Sequence, residues 1–317
     1  MSRIAAIYPS DRVTLREVGL RDGLQLVKAP PTTQEKIDWL VAEVAAGVRH
    51  FEVGSFLPAA RFPQFADIDD MIAAASALNA HSAALTLNER GAERALRTEV
   101  DELVCVVSAT EAHSQANMRR SRAEAIELVR HVATQRDAQA PAKLVNAGIS
   151  MALGCSLAGD VGHDEVLKLA ESCLDAGADI VGLADTVGYA GPRAVGALCA
   201  RMEKLCGNRP FIIHLHDTRG MGVANAAAAL DNGARVIDAS LGGLGGCPFA
   251  PGATGNVVFE DIVFLAETMG YSTGVDLAAL GRARAIAEAA IPDETFHGAL
   301  KRAGPPNNAS WAAGPAV

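Results

Sequence analysis

No apolar run in this chain approaches the roughly 20 residues that a membrane span requires. Its first residues show neither a secretory apolar core nor an Arg-rich transit stretch, so a cytoplasmic location is expected. A basic excess is missing too: 28 Lys and Arg stand against 37 Asp and Glu, for a net charge of −9. With no run of like charges either, nucleic acid and anionic membrane surfaces are excluded as partners. A small phosphorylated ligand stays open, because it needs only a local cluster of cations. The six cysteines form no CxxC pair and no clustered framework, so the thiols are expected to be reduced and any one of them is free for chemistry. The glycine fingerprint of a dinucleotide-binding fold is absent after the first strand.

What is present is a soluble globular composition. Half of the 317 residues are hydrophobic, 21% are charged, and 30 glycines are spread along the chain. Short β-type runs alternate with longer stretches of helical period. The strands expected are Val13–Val18, Val48–Val53, Ser82–Thr86, Glu102–Val107, Leu144–Met151, Asp179–Leu183, Phe211–Leu215 and Val236–Leu241. The helices expected are Thr32–Ala46, Phe65–Leu78, Glu89–Arg97, Arg120–Ala138, Gly162–Ala176, Pro192–Lys204, Gly222–Asn232 and Asn256–Met269. Three of them end in a glycine stop, at Gly47, Gly177 and Gly233. Eight βα units in this order close into a (β/α)8 barrel more readily than they form an open doubly wound sheet. We expect one domain over residues 1–317, with the barrel core at about 13–270. A C-terminal helical region follows, then a loosely ordered tail from Pro305 to Val317.

The sharpest chemical signal is His214-Leu215-His216-Asp217 at the end of the seventh strand. Residues two apart on a strand share a face, so both imidazoles aim at the barrel axis near its C-terminal mouth, where barrel enzymes carry their sites. Two polar residues on a solvated strand end are the bland alternative. Glu17-Val18-Gly19-Leu20-Arg21-Asp22-Gly23 ends the first strand, which lies only two positions round the barrel from the seventh. Asp22 therefore reaches His214 and His216, and a carboxylate with two imidazoles suits a hard or borderline divalent cation. Arg21 is expected either to pair with Glu52 at the end of the second strand or to stabilise an oxyanion.

The segment from Gly242 to Asn256 is several times longer than an ordinary βα connection of about 2–6 residues. Its glycines fit a mobile lid that carries the Cys247 thiol to the reaction centre. Asn256 stands where this loop enters a helix; by residue type it caps that helix, the alternative being a carbonyl oxygen offered to a cation. Asp185 and Thr186 lie at the same rim, Asp185 either supporting the site or opening a helix.

These motifs, from Thr14 to about Gly274, resemble the 3-hydroxy-3-methylglutaryl-CoA lyase family of the DRE-TIM metallolyases. The resemblance rests on Glu17–Gln25, Glu52–Phe56, Leu153-Gly154-Cys155, Leu183–Gly188, His214–Thr218 and the loop ending at Asn256, in order at separate strand ends. It implies the same barrel and one Mg2+ or Mn2+ ion held by Asp22, His214, His216 and Asn256, overriding the cap reading of Asn256. It further implies that Arg21 stabilises an enolate, that Glu52 orients Arg21, and that Cys247 takes part in proton transfer. Arg21, Gln25, Ser55, Asp185 and Thr186 are placed around an acyl-CoA substrate. Family members associate through late elements, which implies a homodimer.

The implied reaction is retro-Claisen cleavage of a 3-hydroxyacyl-CoA, with 3-hydroxy-3-methylglutaryl-CoA giving acetoacetate and acetyl-CoA. The base that removes the hydroxyl proton is left open among His214, Asp22 and Cys247. Departures from the family pattern are Leu26 in place of Asn, Gly182 in place of Ser, and Phe62-Pro63-Gln64 in place of Val-Pro-Gln. Changes of this kind in the acyl pocket leave the reaction type intact and alter the acyl group accepted, so longer 3-substituted glutaryl or citramalyl thioesters are alternatives. A Claisen-type 2-oxo acid synthase is disfavoured by Leu24, where such enzymes carry Glu. A catalytically silent acyl-CoA-binding barrel is disfavoured because the ligands and the thiol are present together.

Overall fold

The computed structural model describes residues 3–246 and 255–306. Eight parallel strands close into a barrel in sequence order: β1 (Thr14–Glu17), β2 (His50–Ser55), β3 (His81–Leu85), β4 (Glu102–Ser108), β5 (Leu144–Ser150), β6 (Ile180–Asp185), β7 (Ile212–Leu215) and β8 (Val236–Ala239). Closure is made by β1 against β8, with Thr14 to Glu17 in register with Val236 to Ala239. The strands carry apolar side chains outward into a large core shared with the helices, as parallel sheets buried on both faces require.

The helices are α1 (Arg3–Ile7), α2 (Thr33–Ala45), α3 (Ile68–Ala77), α4 (Glu89–Leu96), α5 (Glu111–Met118), α6 (Arg122–Gln139), α7 (His163–Asp175), α8 (Pro192–Cys206), α9 (Gly222–Asp231), α10 (Phe259–Thr268), α11 (Leu277–Ala290) and α12 (Leu300–Ala303). Local chemistry sets their ends. Thr32 and Glu35 form a reciprocal capping box on α2, and Ser121 with Glu124 forms another on α6. Gly47, Gly177 and Gly233 stop their helices at φ of 99°, 99° and 92°, as the sequence indicates. The turn at Gly47 also receives the C-terminal region: the Asp276 amide donates to the Ala46 carbonyl (2.8 Å), seating α11 on α2.

Three expectations are corrected. The helix expected from Arg120 begins at Arg122, and a further helix that was not expected, α5, precedes it, divided from it by Arg119 in the left-handed region at φ 54°. The last barrel helix begins at Phe259 rather than Asn256. Helix α1 was not expected, and it matters: Ile4 and Tyr8 pack with Leu144, Ile180, Ile212 and Val236 and close the floor of the barrel. The tail expected to be loosely ordered lies, from residue 307 onward, outside the described residues. Among the described residues, no helix is long and apolar enough to cross a membrane.

Candidate active site

At the end of β1 the chain turns so tightly that the Val18 carbonyl accepts from the amides of Arg21, Asp22 and Gly23 at 3.1, 2.7 and 3.2 Å. Glu17 fastens this turn to the rim of β8, its carboxylate accepting from Gly19 and Leu241 amides, each at 2.9 Å. The turn brings Asp22 over the axis. From β7, His214 and the following His216 face the same way, as a strand period of two dictates. The ligand-type atoms of Asp22, His214 and His216 all lie within 4.8 Å of one another. The Nε2 atoms of His214 and His216 are 3.0 Å apart, and His216 Nε2 is 3.8 Å from Asp22 Oδ2.

Asn256 joins the cluster by a route the sequence hides. After the glycine-rich loop the chain returns as a short extended segment inserted at the mouth between β7 and β8. Asn256 bridges to His216 and Val258 to Ser240, and the Val257 amide donates to the Leu215 carbonyl at 3.0 Å. This segment precedes the helix, so Asn256 is not its cap; Val258 occupies that position. The Asn256 Nδ2 donates to Asp22 Oδ2 (2.8 Å) and to the Leu244 carbonyl (3.0 Å). Gly245, at φ 126°, passes so close that a Cβ would lie 2.6 Å from that Nδ2, so only glycine fits here.

The buried Asn256 Oδ1 has no hydrogen-bond partner among the described residues. One carboxylate, two imidazoles and an unmet amide oxygen form a donor set that fits a hard or borderline divalent cation. The electrostatics agree. Burial works to raise the Asp22 carboxyl, but the Arg21 guanidinium, both imidazoles and the Asn256 amide outweigh it and hold it at about 2. Burial and the neighbouring His214 lower His216 to about 4, keeping it neutral as a ligand must be. His214 is raised against burial by its hydrogen bond to Asp238 and by the Asp22 charge.

Arg21 is held between carboxylates, with Nη1 2.6 Å from Asp22 Oδ1 and Nη2 2.7 Å from Glu52 Oε2. The expected Arg21–Glu52 pair is therefore present. Glu52 is almost fully buried beside a register slip between β2 and β3, a bulge that re-aims side chains at a barrel rim. The Nε of Arg21 has no partner among the described residues and remains a donor. Gln25 lines the cavity and reaches Arg21 Nη1 at 3.4 Å, while its backbone carbonyl accepts from Gln64 Nε2 at 2.7 Å.

Thr186 lines the cavity and accepts from the Met151 amide at 2.8 Å. Asp185 is fully buried, its two oxygens accepting from the Tyr189 (2.9 Å) and Ala190 (3.1 Å) amides, which shapes the loop after β6. Ser55 is likewise buried, its hydroxyl bonded to the Leu85 carbonyl (3.4 Å) and accepting from the Leu57 amide (3.3 Å). Cys247 lies outside the described residues.

Sequence reasoning missed Asp238. It pairs in register with His214 across β7 and β8 and lies 3.2 Å from His214 Nδ1. It is itself bound to Arg16 (3.2 Å), which also binds Glu102 (3.0 Å); Glu102 in turn accepts from Tyr8 Oη (2.6 Å) and Asn146 Nδ2 (2.7 Å). Charged residues inside otherwise apolar strands were the available signal.

A closed barrel with this cluster at the C-terminal mouth is a (β/α)8-barrel enzyme with a candidate divalent-cation site. The chain belongs to the HMGL-like family, which matches residues 12–286, and it is a carbon–carbon lyase of the HMG-CoA lyase type. It is 35% identical over 274 residues to the hydroxymethylglutaryl-CoA lyase YngG of Bacillus subtilis, covering 86% of this chain and 91% of that one. It is 39% identical over 286 residues to the (R)-citramalyl-CoA lyase of Chloroflexus aurantiacus, covering 85% and 88%. Among solved structures, an HMG-CoA lyase from Acinetobacter baumannii in complex with coenzyme A and 3-methylmalate superposes with a TM-score of 0.86 at 33% identity, covering 95% of this chain and 98% of that one.

Proposed function

We propose that the protein is a divalent-cation-dependent lyase that cleaves a 3-hydroxyacyl-CoA by a retro-Claisen reaction, with 3-hydroxy-3-methylglutaryl-CoA yielding acetoacetate and acetyl-CoA. The observation that carries this reading is the convergence of Asp22, His214, His216 and Asn256 beside Arg21 at one end of the cavity. A Mg2+ or Mn2+ ion bound by those four residues would supply a Lewis acid for the substrate hydroxyl and an adjacent oxygen.

The remaining work belongs to the chain itself. Loss of the hydroxyl proton to His214, Asp22 or Cys247 lets the bond between carbons 2 and 3 break, with its electron pair passing to the acetyl-CoA fragment as an enolate. Arg21, held between Glu52 and Asp22 and with an Nε that has no partner among the described residues, would donate to the enolate oxygen as charge develops there. Such a donor needs no reorganisation at the moment of reaction. Cys247 then protonates the enolate carbon, directly or through a relay.

The match to the citramalyl-CoA lyase supports a second substrate, citramalyl-CoA, which the same step would cleave to pyruvate and acetyl-CoA. A panel of both thioesters, assayed with Mg2+, Mn2+ and chelator, tests the reading. Metal-dependent release of acetyl-CoA with acetoacetate or pyruvate is expected; no acetyl-CoA from any 3-hydroxyacyl-CoA would overturn it.

A further inference from the structure

The residues that follow α11 return to the rim of the barrel and close a ring of hydrogen bonds around one glycine. The Gly242 amide donates to Glu260 Oε2 at 2.9 Å, and the Gly242 carbonyl accepts from the His297 amide at 2.6 Å. Arg284 joins the two holders, its Nη1 donating to Glu260 Oε1 at 2.9 Å and to the His297 carbonyl at 2.5 Å. The Phe296 ring covers the same spot, since a Cβ on Gly242 would lie 2.3 Å from its Cδ1. Gly242 is thus gripped by α10 on one side and by the segment beyond α11 on the other.

None of the chemical steps above uses this ring, and stability alone is a poor reason for it. Arg284 is 3% exposed and Glu260 5%, and a buried ion pair gains little net stability against the cost of removing both charges from water. Its better-attested use is to specify one arrangement among several. That need exists here. Gly242 and Gly243 stand consecutively in the left-handed region, at φ 62° and 67°, and two adjacent glycines have too much conformational freedom to set the corner by themselves.

What the corner must set lies two residues on. The Leu244 carbonyl accepts from Ser240 Oγ at 2.6 Å and from Asn256 Nδ2 at 3.0 Å. The other hydrogen of that Nδ2 goes to Asp22 Oδ2 at 2.8 Å. With both amide hydrogens engaged by acceptors the side chain cannot flip, and the direction of Asn256 Oδ1 is fixed.

We propose that Arg284, Phe296 and His297 act as positioning residues for Asn256. By holding Gly242 they hold the Leu244 carbonyl, and through it the amide oxygen offered to the cation. The inference rests on the reading of Asp22, His214, His216 and Asn256 as a cation site. It gives the region after the barrel a part in the site at the mouth.

The test is calorimetric titration of the full-length chain with Mn2+. Arg284→Met removes both ties and keeps the stem of the side chain; Gly242→Ala drives a methyl group into Phe296 while leaving every buried charge paired. Each is made in the wild type and in Asn256→Ala. In the wild-type background each should lower Mn2+ affinity by about tenfold, the lower end of what loss of a ligand's support costs. In the Asn256→Ala background neither should lower it further, because the effect passes through the amide that is missing. Equal losses in both backgrounds, or no loss in either, overturn the proposal, and if Arg284→Met does not fold, Gly242→Ala decides. If Asn256→Ala weakens Mn2+ binding and the other variants do not, the positioning role fails while the cation site stands. A wild type that binds no Mn2+ overturns both.

Discussion

The Nδ1 of His214 stands 3.2 Å from Oδ2 of Asp238, and Asp238 is bound in turn to Arg16 at 3.2 Å. The Asp238 carboxylate presents an acceptor to the ring, so Nδ1 of His214 is the donor. That tautomer turns the Nε2 lone pair toward Asp22 and His216. A carboxylate behind a ligating imidazole orients the ring and raises its basicity.

Asp238→Asn keeps the shape of the side chain and removes the negative charge. Calorimetric titration with Mn2+ should show affinity reduced by about 10–100-fold, the usual effect of removing such a support. An unchanged affinity would mean that Asp238 serves only Arg16.

His216→Ala removes a donor from the centre of the cluster. Turnover that responds to added Mn2+ and to chelator should disappear, because an ion held by fewer protein donors binds weakly and is misplaced. Full activity in this variant, insensitive to chelation, would remove the cation from the mechanism.

Arg21→Gln retains a planar donor but loses the charge and the fork that engages Asp22 and Glu52. Because its contribution grows as the enolate forms, kcat should fall by about 100- to 1000-fold, with Mn2+ binding not weakened. Arg21→Lys is not expected to restore the rate, since an ammonium cannot bridge both carboxylates in the same geometry. Equal losses in Mn2+ affinity and kcat would instead assign Arg21 to holding Asp22.

His50 makes acid stability readable. Burial, and then the neighbouring His81, push its pKa down to about 3, so it is neutral in the folded protein. Below its ordinary value of 6.5 the unfolded chain takes a proton that the folded chain refuses. The stabilisation is thus complete above that pH and is lost as pH falls toward 3, at up to about 1.4 kcal/mol per pH unit. Urea unfolding of wild type and His50→Gln at pH 7, 6 and 5 should show the shallower decline in the variant; parallel declines would contradict it.

Much of the architecture was legible because its cause is local. Strand and helix periods, the glycine stops and the His214-x-His216 spacing are all properties of neighbouring residues, and they fixed the barrel and three cluster members. Helix α1 escaped because Arg3–Ile7 has only five residues and shows no period. Helix α5, Glu111–Met118, was not expected because its polar residues show no apolar period. By residue type alone Asn256 reads as a cap, because its extended pairing with His216 depends on a segment forty residues away along the chain. Arg16, Glu102 and Asp238 escaped for a related reason: each looks like an intrusion into an apolar strand until the barrel closes and supplies its partner.

The plug beneath the barrel has an electrical side. From the Tyr8 hydroxyl through Glu102, Arg16 and Asp238 to the His214 ring, each group touches the next, so the amino-terminal segment and the reactive end are wired together. Trimming the chain ahead of Thr14 would therefore do more than open a hole. It would strip Glu102 of one donor, loosen its grip on Arg16, and slacken the hold on an imidazole at the opposite pole of the molecule.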